Sequence, residues 1–171
     1  MKKAIRILFV EDVARDVDLI LAALRGGGLA FRFKRVQTRR RYVYESEHHP
    51  PDLILSDYGI PGLGGFTALA IARKKCPRVP VVLVSDQIGV GAIIDTLRSG
   101  ATGCVLKRRL DVNLPHVVRR ALSEADDNTT APKSRWLNRA SVVFWRPTLE
   151  IALATKTALT RCAISDRSGP Q

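Results

Sequence analysis

The chain has 171 residues, 46% of them hydrophobic, which is enough for a folded protein with a buried core. No apolar stretch approaches the roughly 20 residues that span a bilayer, so we expect no membrane span. The scattered Cys76, Cys104 and Cys162 exclude a disulfide framework and a paired-cysteine metal motif, and we expect a cytoplasmic protein.

The formal net charge is +12, and most of it belongs to residues 1–125, which hold 21 basic and 12 acidic side chains. Basic residues cluster at positions 34–35, 39–41, 73–75, 107–109 and 119–120. A field of this sign favours anionic partners, nucleic acid among them. A solvated basic surface is the simpler explanation, and the sequence leaves both open.

Five short apolar runs alternate with helical patterns up to residue 124. The runs cover residues 4–10, 29–36, 53–56, 81–84 and 102–106. Apolar residues recur at helical spacing at positions 17, 20, 21 and 24, again at 90, 93, 94 and 97, and again at 114, 117, 118, 121 and 122. Weaker helical patterns cover residues 39–47 and 66–75. Five strands that alternate with five helices predict a parallel sheet covered on both faces.

The first and second runs carry extra information. The first contains Arg6 and ends in two acids, which favours a strand over a signal peptide. In the second, Leu29, Phe31 and Phe33 alternate with less apolar residues, which is typical of an edge strand. An edge position for strand 2 fits the doubly wound order 2-1-3-4-5, whose ligand crevice lies between strands 1 and 3.

Polar residues end four of the predicted strands. Strand 1 ends in Glu11 and Asp12, strand 3 in Asp57, strand 4 in Ser85 and strand 5 in Lys107. In the predicted order these strands are consecutive neighbours, so the five side chains are expected along one edge of the sheet. Taken alone, Asp57 would more simply be a helix cap or a turn residue.

Three neighbouring carboxylates repel one another unless a cation lies among them, and oxygen ligands suit Mg²⁺. With Mg²⁺ bound, Asp57 can remain ionised and act as a nucleophile toward a phosphoryl group. Lys107 would stabilise the charge on that group, and Ser85 would donate a hydrogen bond to it. The glycine-rich turn after Asp57 would let the Gly59 carbonyl approach the metal.

The segments ILFVED, PDLILSDYGIPGLGGF, VPVVLVSD and SGATGCVLK, in this order and spacing, resemble the receiver domain of two-component response regulators. The resemblance covers residues 4–124. It implies a flavodoxin-like α/β fold with five βα units and the sheet order 2-1-3-4-5. It also implies a phosphoacceptor at Asp57, Mg²⁺ held by Glu11, Asp12, Asp57 and the Gly59 carbonyl, and phosphate sensing by Ser85 and Lys107.

The same resemblance implies partners. The phosphoryl donor would be a histidine kinase or a phosphotransfer protein, and a downstream effector protein would read the signal. An oligomer would use the face formed by helix 4, strand 5 and helix 5. The expected reaction is phosphorylation of the protein itself followed by slow hydrolysis, so the chain is not expected to be an enzyme.

Four positions depart from the family pattern. Cys104 stands where an aromatic switch residue is usual, and Arg108 follows the lysine where proline is common. Asp86 follows Ser85 where a small residue is usual, and Gly64 takes a position where aspartate is common. A carboxylate at Asp86 that points inward would oppose phosphate binding through like-charge repulsion.

We expect residues 1–125 to form the receiver domain. Residues 126–171 begin with the polar segment DDNTTAPKSR and are expected to be a linker and extension of unknown function, partly disordered or marginally structured. One alternative function is a degenerate, non-switching receiver that binds protein or nucleic acid through its basic surface. The other is a phosphotransfer or phosphohydrolase enzyme on the same scaffold.

Overall fold

The computed structural model describes residues 4–127, in which parallel strands alternate with helices. The strands are β1 (Ile5–Val10), β2 (Phe31–Val36), β3 (Leu53–Asp57), β4 (Val81–Ser85) and β5 (Gly103–Leu106). The helices are α1 (Ala14–Gly26), α2 (Arg39–His48), α3 (Gly65–Lys75), α4 (Val90–Arg98) and α5 (Leu110–Asp127), and a 3₁₀ turn (Lys107–Arg109) joins β5 to α5. The predicted alternation is confirmed.

The sheet has the order β2-β1-β3-β4-β5, and every adjacent pair of strands is parallel. The predicted doubly wound, flavodoxin-like fold and the edge position of β2 are therefore confirmed. The register aligns Val10 with Ser56, and Asp57 with Val84. The carboxyl ends of β1, β3 and β4 consequently lie at the same edge of the sheet.

The core lies on both faces of the three central strands. Phe9, Leu55 and Val84 are buried on one face in a cluster that also contains the apolar stripes of α1 and α5. Leu8 and Leu83 are equally buried, and they point to the opposite face because side chains alternate along a strand. This burial on both faces explains why β3 and β4 are mostly apolar in the sequence, as is the part of β1 that follows Arg6.

Helix α5 extends to Asp127 and so includes the first two residues of the predicted extension. The remainder of that extension, with Cys162, lies outside the described residues. Among residues 4–127, no helix is long and apolar enough to cross a membrane.

Candidate functional site

Three carboxylates meet at the carboxyl edge of the sheet. Glu11 and Asp12 follow β1, and Asp57 is the last residue of β3. One side-chain oxygen from each of the three lies within 4.8 Å of the others. The sequence predicted these residues together because β1 and β3 are neighbours whose parallel strands end at the same edge.

Glu11 is the buried member of this trio, whereas Asp12 is exposed and Asp57 is half-buried. Its Oε1 accepts a hydrogen bond from the Val13 amide at 3.0 Å. Its Oε2 is buried without a directed hydrogen bond, although Lys107 Nζ lies 3.3 Å away. Burial, together with the charge of Asp57, raises the pKa of Glu11 above its ordinary value. A buried carboxylate oxygen that is not fully satisfied, next to two further carboxylates, fits a hard cation such as Mg²⁺.

Arg35 on the edge strand β2 supports the loop that carries Glu11 and Asp12. Its Nε donates to the Glu11 carbonyl oxygen at 2.8 Å, and its Nη2 donates to the Asp12 carbonyl oxygen at 2.5 Å. Gln37 adds a longer hydrogen bond to the same Asp12 carbonyl at 3.4 Å. In the sequence, Arg35 is recognisable only as part of a basic cluster, because its contact with the loop after β1 depends on the strand register.

The turn after β3 brings backbone close to Asp57. The Gly59 amide donates to Asp57 Oδ2 at 3.1 Å. A Cβ at Gly64 would lie 2.8 Å from the Tyr58 carbonyl oxygen, and one at Gly65 would lie 2.6 Å from the Tyr58 ring, so a side chain at either position would have to displace Tyr58. The role of the Gly59 carbonyl as a metal ligand stays a prediction.

Ser85 ends β4 and is buried. Its hydroxyl donates a hydrogen bond to the Gln87 carbonyl oxygen at 2.9 Å, within the loop that leads to α4. To donate to a phosphoryl group, this hydroxyl would have to exchange the Gln87 carbonyl for the new acceptor. The phosphate-sensing role of Ser85 stays a prediction.

Lys107 begins the turn after β5, and its side chain is only 7% exposed. Its Nζ lies 3.3 Å from Asp57 Oδ1, 3.3 Å from Glu11 Oε2 and 3.6 Å from Asp86 Oδ2. It also donates a hydrogen bond to Asp16 Oδ2. Burial alone would lower the pKa of Lys107, but the hydrogen bond to Asp16 and the charges of Asp57 and Glu11 outweigh it and raise this pKa.

Two of the carboxylates that contact Lys107, Asp86 and Asp16, lie outside the predicted metal-binding trio. Asp86 does turn toward the lysine, although its side chain is 79% exposed. Asp16 was not among the predicted site residues, and it comes from the first turn of α1. No spacing in the sequence indicated Asp16, because its contact with Lys107 depends on the direction in which the first turn of α1 faces.

Cys104 lies on β5, three residues before Lys107, and is half-buried. Burial raises the pKa of its thiol to about 11. The thiol is therefore protonated at neutral pH and behaves as a small apolar side chain.

The sheet order, together with the acidic edge and the adjacent Lys107, defines a flavodoxin-like α/β domain with an acidic crevice at the carboxyl ends of its strands. Residues 7–119 match the response regulator receiver domain, and the chain belongs to that family.

Curated relatives are longer proteins. The luminescence regulatory protein LuxO of Vibrio campbellii is 28% identical over 125 residues, which cover 69% of this chain and 27% of LuxO. The response regulator protein FleR of Pseudomonas aeruginosa is 25% identical over 173 residues, which cover 97% of this chain and 34% of FleR. The chain thus spans about a quarter to a third of the length of these relatives.

Solved structures share the fold. A CheY-like receiver domain from Methanospirillum hungatei superposes with a TM-score of 0.64 at 21% identity, covering 74% of this chain and 99% of that one. The receiver domain of a sensor histidine kinase from Pseudomonas aeruginosa gives a TM-score of 0.61 at 26% identity, covering 71% and 99%. That domain is described with a magnesium ion coordinated in its active-site cleft.

Proposed function

We propose that Asp57 of this receiver domain accepts a phosphoryl group in a Mg²⁺-dependent reaction. The observation that carries the proposal is the position of Asp57. Its Oδ1 lies 3.3 Å from Lys107 Nζ, and one of its carboxylate oxygens lies within 4.8 Å of oxygens of Glu11 and Asp12. A carboxylate beside an ammonium and a cation site has what phosphoryl transfer requires, namely a nucleophile and fixed positive charge.

The transfer proceeds by attack of an Asp57 carboxylate oxygen on phosphorus. A new P–O bond forms to Asp57, and the bond from phosphorus to the donor breaks. The electron pair of that bond leaves with acetate from acetyl phosphate, or with an imidazole nitrogen from a phosphohistidine, which then takes up a proton. Lys107 lies where it can donate to an oxygen of the transferred group.

Glu11, Asp12, Asp57 and the Gly59 carbonyl are the groups that would hold Mg²⁺. When bound, the ion offsets the repulsion among the carboxylates and the charge of the phosphoryl oxygens. The buried, unsatisfied Oε2 of Glu11 supports this assignment from the chain's own geometry. We assign Ser85 as a hydrogen-bond donor to the phosphoryl group.

The wider role follows from this chemistry. The donor would be a histidine kinase or a phosphotransfer protein in the cytoplasm, and the phosphorylated state would be read by an effector protein. Residues 1–125 would serve as the receiver domain, with residues 126–171 as an appended segment. The protein would be a signalling partner that carries the phosphoryl group, not an enzyme that turns over a separate substrate.

The test is the intact mass of the full chain after incubation with acetyl phosphate and Mg²⁺. We expect an added phosphoryl group on the wild type and on Asp18→Asn, which alters an exposed aspartate of α1. We expect none on Asp57→Asn or when Mg²⁺ is chelated. A wild type that folds but gains no mass, or an adduct that survives Asp57→Asn, would contradict the proposal.

A second candidate function rests on α2. Its first turn holds Arg39, Arg40 and Arg41, all exposed, and Tyr44 is 45% exposed beside them. The Arg41 guanidinium lies 5.8 Å from the Tyr44 ring centroid, and His48 stacks on that ring at 4.3 Å. A cluster of exposed cations suits an acidic protein or a nucleic acid. Binding that weakens steeply with salt and is unchanged in Asp57→Asn would support this basic module.

A further inference from the structure

Asp16 makes a contact with Lys107 that neither the metal cluster nor the proposed acceptor accounts for. It lies in the first turn of α1, and its side chain is 17% exposed. Its Oδ2 accepts a hydrogen bond from Lys107 Nζ. This contact is shorter than those of Lys107 Nζ with the carboxylates of Asp57, Glu11 and Asp86. The lysine is therefore held from the α1 side while it faces the acceptor.

A hydrogen bond between two charged groups is stronger than one between neutral groups, and partial burial protects it from screening by solvent. An ammonium that points toward Asp16 cannot direct the same N–H toward an oxygen on Asp57. In addition, the Asp16 charge itself repels an incoming anion. Both effects oppose the binding of a phosphoryl group at this edge of the sheet.

We propose that Asp16 is a positioning residue that restrains Lys107 in the unphosphorylated protein. Phosphorylation of Asp57 draws the lysine toward the phosphoryl oxygens and weakens its contact with Asp16. Because Asp16 belongs to α1 and Lys107 leads into α5, the exchange alters a link between the starts of two helices that pack together. The inference deepens the proposed function and rests on it.

The test uses the full chain with Mg²⁺ and beryllium fluoride, a phosphoryl mimic that binds to a carboxylate. Its affinity is measured by ¹⁹F NMR titration, and thermal unfolding of each variant is recorded in parallel. We expect Asp16→Asn to raise the affinity about tenfold, since it removes a competing charged acceptor while keeping the side-chain shape. Asp16→Glu, which retains the carboxylate, and Asp18→Asn should bind as the wild type does.

Asp86→Asn separates a directed contact from general charge. It removes the same charge from within 4 Å of the same ammonium, but the Asp86 side chain is largely exposed and its contact with Lys107 is longer, at 3.6 Å. We expect a smaller rise than for Asp16→Asn. Equal rises in the two variants would assign the effect to net charge and overturn the positioning role. Unchanged or weaker binding by folded Asp16→Asn would overturn it as well.

Failure of the proposed function has a different signature. If neither the wild type nor Asp16→Asn binds beryllium fluoride, or if Asp57→Asn binds it equally well, the acceptor assignment fails and this inference fails with it. If the wild type binds and Asp57→Asn does not, the acceptor assignment stands, and the Asp16 and Asp86 variants alone decide the positioning role. Binding by Asp16→Asn but not by the wild type would support both.

Discussion

Lys107 Nζ lies 3.3 Å from Asp57 Oδ1. Lys107 follows β5 and Asp57 ends β3, and β4 lies between these two strands in the sheet. The lysine therefore reaches across the end of β4 to the Asp57 carboxylate. Its charge acts on the predicted metal ligand Glu11 and on the proposed acceptor Asp57 together, because Glu11 Oε2 is also 3.3 Å away. The affinity for Mg²⁺ and the yield of phosphorylation should consequently change in opposite directions when this charge is removed.

Lys107→Met should strengthen Mg²⁺ binding and weaken phosphorylation. Removal of a cation close to the carboxylates reduces its repulsion of Mg²⁺, so we expect the Mg²⁺ affinity to rise about three- to tenfold. The yield of phosphorylated protein from acetyl phosphate should fall at least about tenfold, because the developing charge loses a donor. Calorimetric titration and intact mass measure the two effects, and Arg109→Met, at an exposed position of the same turn, is the control. A parallel fall in both quantities would contradict the stated electrostatics.

Arg35→Ala should weaken the proposed Mg²⁺ site without removing any of its predicted ligands. The substitution leaves the Glu11 and Asp12 carbonyls without their guanidinium donor. We expect the free energy of unfolding to fall by about 1–2 kcal/mol and the Mg²⁺ affinity to fall severalfold, since the loop would be less well ordered. Urea unfolding and Mg²⁺ titration measure these changes.

Arg32→Ala provides the matched control, since Arg32 is an exposed arginine on the same strand. It should change neither quantity appreciably. If both variants reduced the Mg²⁺ affinity equally, the cause would be a general property of β2 and not the contact between Arg35 and the acidic loop.

The contrast between Asp57 and Asp16 shows what could be predicted from the sequence. Asp57 was predicted because it ends an apolar run, and parallel strands bring their carboxyl ends to one edge whatever their detailed register. Asp16 lies inside a helix, and its contact with Lys107 depends on the direction in which the first turn of α1 faces. Arg35 likewise required the alignment of β2 with β1, which alternation of apolar residues does not specify. Strand order and strand ends were predictable, and contacts that depend on register or helix rotation were not.

Glu45 on α2 is a buried carboxylate that lies beside two cations, Lys34 and Arg41, and beside His49. Lys34 Nζ lies 2.7 Å from its Oε1, Arg41 Nε lies 3.6 Å from the same oxygen, and His49 Nδ1 lies 3.2 Å from Oε2. Burial acts to raise the pKa of Glu45, but these neighbours outweigh it and lower the pKa below the ordinary value of 4.5. Because its pKa is depressed on folding, ionised Glu45 stabilises the protein above pH 4.5, and this contribution is lost as the pH falls through the folded value.

Glu45→Gln should therefore lower stability at neutral pH and have little effect in acid. We expect a loss of about 1–2 kcal/mol in the free energy of unfolding at pH 7, limited by the exposure of the three partners. Urea unfolding between pH 7 and pH 3 should show the two proteins converging below about pH 4. Glu47→Gln, at an exposed carboxylate of the same helix, should change stability less. A difference that persists undiminished at pH 3 would assign the effect to packing instead of charge.

Alanine substitutions at the adjacent residues Gly27 and Gly26 should change the stability of the protein in opposite directions. Gly27 has φ −74° and ψ 0°, which any residue can adopt, but its Cβ would lie 2.4 Å from Pro115 Cβ in α5. The rigid proline ring cannot yield, so Gly27→Ala should separate α1 from α5 and cost about 1–3 kcal/mol of stability. A Cβ at Gly26 would meet no atom within 4 Å, and Gly26→Ala should gain about 0.5 kcal/mol by restricting the unfolded chain. Thermal and urea unfolding measure both, and a neutral Gly27→Ala would mean that α1 and α5 can move apart without loss of packing.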